Sequence, residues 1–190
     1  MSVLDRVIAA VTPPESDEER TLARARARSV AGSSGWLAMI LAHHVEIESA
    51  FDAFEMATSA ASRRAAQMQL AAILTGHSIA EESVIYPALL QLGGRANAIK
   101  AYTEQSEAKV NMAELEALEP MSQAFLDKLE HIRGAVTHHM YEEESEWLPE
   151  LKEKADAVTQ SRLTRRYREE FERYLGAEAM MGMEEEASTD

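Results

Sequence analysis

His77-Ser78-Ile79-Ala80-Glu81-Glu82-Ser83-Val84-Ile85-Tyr86-Pro87 and His139-Met140-Tyr141-Glu142-Glu143-Glu144-Ser145-Glu146-Trp147-Leu148-Pro149 share one spelling: H-x3-E-E, then an aromatic or apolar residue and a proline. Histidine and glutamate four apart lie one turn apart on the same helix face. Around the first window, Leu70, Leu74, His77, Glu81, Val84 and Ala88 step by threes and fours; around the second, Phe125, Leu129, Ile132, Val136, His139, Glu143 and Trp147 do the same. Rows that begin as helix core thus turn into imidazole and carboxylate. Burying such a pair costs several kcal/mol unless each member is paired or bound to a cation. Two pairs facing one interior call for a shared partner, and a metal ion supplies it.

The rest of the chain reads as helix. Alanine, leucine, glutamate and arginine dominate, β-branched alternation is absent, and glycine and proline fall at a few breaks. The expectation is an all-α, up-and-down four-helix bundle with extra N- and C-terminal helices. The first long helix is expected from Trp36 to about Thr58, after the break Gly32-Ser33-Ser34-Gly35. The second, capped by Ser62, runs to Leu92 before Gly93-Gly94. The third spans about Ala96 to Leu118, and the fourth starts at Pro120 and continues to about Lys152. Ahead of the bundle, an amphipathic stretch Val3 to Val11 ends at Pro13-Pro14, and a polar segment Ser16 to Val30 carries Arg24, Arg26 and Arg28; both read as decoration. Behind it, Thr159 to Leu175 is amphipathic, and the tail from Gly176, with Met180, Met181, Met183 and Glu184-Glu185-Glu186, is expected to fray. The division is an extension over 1–34, the bundle over 35–152, a C-terminal helix over 153–178 and a disordered tail over 179–190.

Composition narrows the function. With 46% hydrophobic residues, 190 residues suffice for a sizeable core. Thirty-three acidic against 19 basic residues, net −14, would repel nucleic-acid phosphates and anionic lipid heads, so neither is an expected partner. The chain has no cysteine, which leaves a metal to His, Asp and Glu and favours iron, manganese or zinc. No basic leader with a long apolar run and no span-length apolar segment is present, and a cytoplasmic location is the expectation.

The first helix offers His43 and His44, both near its apolar face, and periodicity does not choose between them. Glu48 lies four after His44 and could form a third H-x3-E pair. His131 and His138 fall on a less apolar stripe and read as flank or surface. In the run Glu142 to Glu144, helical phase alone singles out Glu143. Tyr86 and Trp147 are expected to pack at the bundle end, with a gating role near the site as the alternative.

These residues carry a resemblance. His43-His44 with Ile47 and Phe51, His77 to Pro87 and His138-His139 to Pro149 make the chain similar to the hemerythrin superfamily, in its bacterial HHE cation-binding form, over about Trp36 to Leu151. The resemblance implies a bundle holding a non-heme di-iron centre, two irons with an oxo or hydroxo bridge, that binds dioxygen, nitric oxide or peroxide for sensing, carriage or detoxification. It makes His44, His77 and His139 terminal ligands and Glu81 and Glu143 bridging ones. Glu82 and Glu144 then either orient the ligands or face solvent. No catalytic residue is assigned, and a binding or sensing role is expected ahead of an enzymatic one. The pattern departs on the third helix, where the family supplies histidine: Gln105 and Lys109 stand at the expected positions. Glu48, Gln105, Lys109 and His43 are therefore additional metal or supporting residues. The alternative is an iron-responsive regulatory or interaction bundle with a modified, mononuclear or lost site, working through a protein partner or a second copy.

Overall fold

The computed structural model describes the backbone of residues 15–187 and the side chains of residues 15–175. The stretch Val3 to Val11, the methionine and glutamate side chains of the tail, and residues 188–190 lie outside the described residues. Helix α1, Asp17–Ala31, follows from a capping box: Ser16 Oγ accepts the Glu19 N–H and the Glu19 carboxylate accepts the Ser16 N–H. Its alanines at 23, 27 and 31 are buried, so this backbone can approach its neighbours closely. The segment read as decoration is therefore an integral helix.

Helix α2, Trp36–Met56, begins after Gly35, whose φ of 106° suits only glycine. Gly35 has no side chain to cap with, and Thr164, far along the chain, accepts the Trp36 N–H at 3.1 Å instead. Helix α3, Ala60–Ala80, is capped by Ser59; Ser62, the expected cap, is the reciprocating residue three positions in. Helix α3 passes through a π-helical turn, Glu81–Ile85, into α4, Tyr86–Gln91. Helix α5 is Arg95–Glu116. Helix α6, Gln123–Glu142, starts at Ser122 rather than at Pro120, which sits in the preceding turn. It passes through a second π turn, Glu143–Trp147, into α7, Leu148–Lys154. Helix α8 is Ala157–Ala187, so helical backbone continues beyond Gly176.

The rods α2, α3 with α4, α5, and α6 with α7 form the expected all-α bundle. Helix α1 packs on α2, the second π turn and α7; α8 packs on α3, α2 and the first π turn. The apolar core is split in two. One cluster gathers Trp36, Leu37, Ile40, Ile85, Leu89, Leu148 and Tyr167; the other gathers Ile47, Phe51, Leu70, Leu115, Phe125, Ile132 and Met140. The row of α2 passes from Leu41 to His44 to Ile47, and that of α6 from Val136 to His139 to Met140. A polar layer thus lies between the apolar clusters. Among the described residues no helix is long and apolar enough to cross a membrane.

Helix α8 meets α3 at Gly76, where an added Cβ would stand 3.1 Å from Tyr174 and 3.2 Å from Phe171. Gly76→Leu should loosen this contact and cost about 1–3 kcal/mol, read as a lower denaturation midpoint. An unchanged midpoint would show that α8 does not pack here.

Candidate metal centre

Three histidines point one ring nitrogen inward because something outside holds the other. His44 Nδ1 is 2.7 Å from Glu144 Oε1, His77 Nδ1 is 3.1 Å from the Tyr167 hydroxyl, and His139 Nδ1 is 2.8 Å from Glu104 Oε2. Fixing one nitrogen sets the ring orientation and frees the other as a ligand, the arrangement metal-binding imidazoles adopt. The Nε2 atoms then face the carboxylates: His44 lies 3.3 Å from Glu143, His77 3.1 Å from Glu81, and His139 3.5 Å from Glu143.

His44, His77, Glu81 and Glu143 bring one ligating atom each to within 4.8 Å of one another, all four residues being buried. Three of these residues hold a buried side-chain atom with no hydrogen-bond partner among the described residues: His44 Nε2, Glu81 Oε1 and Glu143 Oε2. The 3.3 Å approach of His44 to Glu143 therefore lacks hydrogen-bond geometry. Buried polar atoms are nearly always paired, and several orphans converging on one place fit a missing cation. Nitrogen and carboxylate oxygen together suit a divalent transition metal.

The other half of the layer is different. The Tyr86 hydroxyl is 3.1 Å from each of Glu81 Oε2, Glu143 Oε1 and His139 Nε2. The Gln105 amide donates to the same hydroxyl at 3.0 Å and to Glu81 Oε2 at 3.1 Å. Tyr86 is fully buried, and the expectation that it packs at the bundle end is corrected: its hydroxyl stands among Glu81, Glu143, His139 and Gln105. Trp147 does pack, its ring edge-on to His139 at 6.0 Å.

Charge follows from these contacts. Burial works against the charged form of His44, but Glu143 and Glu144 outweigh it and raise its pKa to about 10. Burial likewise opposes protonation of His139, and Glu143, Glu104 and Glu81 carry it to about 9. Burial, reinforced by His44, holds His77 well below the ordinary value, and burial pushes the Glu81 carboxyl upward. His43 falls to about 3 through burial and the neighbouring His77 and His44.

The remaining sequence expectations sort by position. Glu48 is turned away, its carboxylate 2.5 Å from Arg24, and Lys109 pairs with Glu82 at 2.6 Å on the surface; neither joins the site. His43 shares the Tyr167 hydroxyl at 2.9 Å and stacks on Phe171, one step outside the site. His131 and His138 are exposed, as expected. Glu144, buried, is the residue that orients His44, and Arg24 holds it through Nε at 3.0 Å to both oxygens. The supporting roles of Arg24, Glu104 and Tyr167 have no signal in the motif, since each arrives from a distant segment.

A family model described as "Hemerythrin HHE cation binding domain" matches residues 37–151. A protein of Nostoc sp. (strain PCC 7120 / SAG 25.82 / UTEX 2576) named "DNA nickase" is 35% identical over 72 residues, which are 38% of this chain and 20% of that protein. The chain thus spans about a fifth of the length of this curated relative. No solved structure matches. With the buried histidine and glutamate donors facing one another between the core clusters, and the family match covering more than half the sequence, the chain belongs to the hemerythrin HHE cation-binding domain family.

Proposed function

We propose that the chain is a non-heme iron protein that binds dioxygen or a related small oxidant, nitric oxide or peroxide, at a centre with more than one metal position. The observation that supports this most is the trio of buried atoms with no hydrogen bond among the described residues, His44 Nε2, Glu81 Oε1 and Glu143 Oε2. In this reading His44, His77, Glu81 and Glu143 would hold one ion, and His139 would supply the nitrogen donor of a second position. Reduced iron bound there supplies the electrons that dioxygen takes up.

The protein's own part is orientation and exclusion of water. Glu144, Tyr167 and Glu104 fix the imidazoles, and the carboxylates would offset the metal charge in a layer flanked by apolar clusters. A cavity of about 860 Å³ is lined by Leu74, Ala108, Met112, Val136 and Met140 as well as by His77, Gln105 and His139. Its mostly apolar wall suits entry of a small uncharged molecule. DNA nicking, in the name of the cyanobacterial relative, is not carried over: the match covers a fifth of that protein, and this chain's net charge of −14 disfavours a polyanion.

A second reading has an observation of its own. Arg24 of α1 reaches His44 through Glu144, and Tyr167 of α8 touches His77, so both helices outside the matched residues contact the proposed ligands from behind. An iron-responsive regulatory bundle would use these contacts to report occupancy to a partner.

Anaerobic loading with iron(II), followed by metal counting and a visible spectrum on admitting air, tests the first reading. About two ions per chain are expected, with a new visible band in air. Loss of the metal in His44→Ala and His77→Ala variants would support the reading, and retention of the full count in both would contradict it. Hydrogen exchange on the same samples addresses the second, which expects α1 and α8 to gain protection on loading.

The pH dependence has a definite sign. In the metal-free protein His44 and His139 titrate at about 10 and about 9, above the ordinary 6.5. Their stabilisation is complete below pH 6.5 and is lost as pH rises through 9 to 10. A metal needs the same imidazoles neutral, so metal affinity should increase with pH, about tenfold per unit for each proton displaced. Melting curves and metal titrations between neutral and alkaline pH check this, and an affinity that falls over that range would contradict it.

A further inference from the structure

We propose that Tyr86 is itself a metal ligand, its phenol oxygen taking the place of the absent third-helix histidine in the half of the site formed by His139, Glu81 and Glu143. This rests on the metal reading above and adds a donor to it.

The geometry comes first. Around the hydroxyl stand two carboxylate oxygens, Glu81 Oε2 and Glu143 Oε1, and the ring nitrogen His139 Nε2, each at 3.1 Å, with the Gln105 Nε2 donor at 3.0 Å. A phenol has a single proton and can satisfy one of the two carboxylate oxygens. Metal–ligand bonds of about 2.0–2.2 Å set neighbouring ligands about 3.0–3.5 Å apart, the spacing these atoms already have around the phenol oxygen. One cation among them would take both carboxylate oxygens and, once its proton is displaced, His139 Nε2 together with the phenol oxygen. Gln105 fits the same arrangement as the group that orients the phenol oxygen from the third helix.

The backbone accounts for how Tyr86 gets there. At 3.6 residues per turn, a residue five past Glu81 would lie about 140° around the helix from it. The π turn changes this: the Tyr86 N–H bonds to the Glu81 carbonyl, five residues back, and the widened turn brings Tyr86 round toward the carboxylate's face. The matching turn in the second window bonds the Leu148 N–H to the Glu143 carbonyl, and Leu148 offers no donor atom. The two windows are therefore equivalent in backbone and unlike in chemistry. The Tyr86 hydroxyl reaches the half of the layer that holds His139.

Coordination breaks the phenol O–H bond, releases that proton to solvent and forms one metal–oxygen bond, with no change in oxidation state. The test loads the full chain with iron(II), oxidises it in air and records the visible and resonance Raman spectra. The expected result is a phenolate-to-iron(III) charge-transfer band whose enhanced vibrations shift when the protein carries ring-deuterated tyrosine. The band should be lost in Tyr86→Phe and kept in Tyr102→Phe, the control for the neighbouring phenol, whose hydroxyl donates to the Glu82 carbonyl. Helical circular dichroism and the iron count identify a variant that has not folded or has not loaded, and the isotope shift in the unmutated protein with the Tyr102→Phe result keeps the question open to test without it. Iron bound without a phenolate band, or a band that persists in Tyr86→Phe, overturns the assignment to Tyr86 while leaving the metal reading intact. Failure of the unmutated protein to bind iron overturns both.

Discussion

A buried layer of imidazole and carboxylate is the constraint on which this bundle depends. Glu81, Glu143 and His44 are completely inaccessible, with apolar clusters on either side, and water cannot pay their desolvation. The metal-free chain meets part of the demand by protonating His44 and His139 against their carboxylate neighbours and by keeping His77 and its partner Tyr167 in a neutral chain. Among the buried atoms it leaves without a hydrogen bond, His44 Nε2, Glu81 Oε1 and Glu143 Oε2 belong to this one layer. The balance between protons and a cation is therefore a property of the fold, and it links metal affinity to pH in the same residues.

Most of the fold and the core rows that carry His77, Glu81, His139 and Glu143 could be read from periodicity, whereas the choice of His44 over His43 came from the family resemblance. The row of α6 in which Val136 leads to His139 and Glu143 is a regular 3.6-residue pattern, and an interior imidazole there has few physical explanations. Tyr86 could not be placed in the same way. Its position depends on a π turn, and a constant helical period assigns it to the wrong face. Helix starts misread by a few residues, Ser59 for Ser62 and Ser122 for Pro120, have a local cause: several residues able to cap or open a helix lie within one turn of each other.

The supporting residues were illegible for another reason. Arg24, Glu104 and Tyr167 reach the site from α1, α5 and α8, and nothing in their local sequence marks them. A row of charged and small residues in α1 resembles a solvated appendage until Ala23, Ala27 and Ala31 are seen to seat it against the bundle. Each histidine motif supplies an inward-facing ring nitrogen, and the tertiary structure supplies the group that aims it. Helices outside the matched residues thereby become part of the electrostatics of the centre.

The most direct measurement is anomalous X-ray scattering at the iron edge from crystals of the anaerobically loaded chain. The account predicts a peak bounded by His44 Nε2, His77 Nε2 and the Glu81 and Glu143 carboxylates, with a neighbouring peak against His139. Iron found instead on the outer group of Glu104, His138 and Glu142, with nothing between His44 and His77, would contradict it.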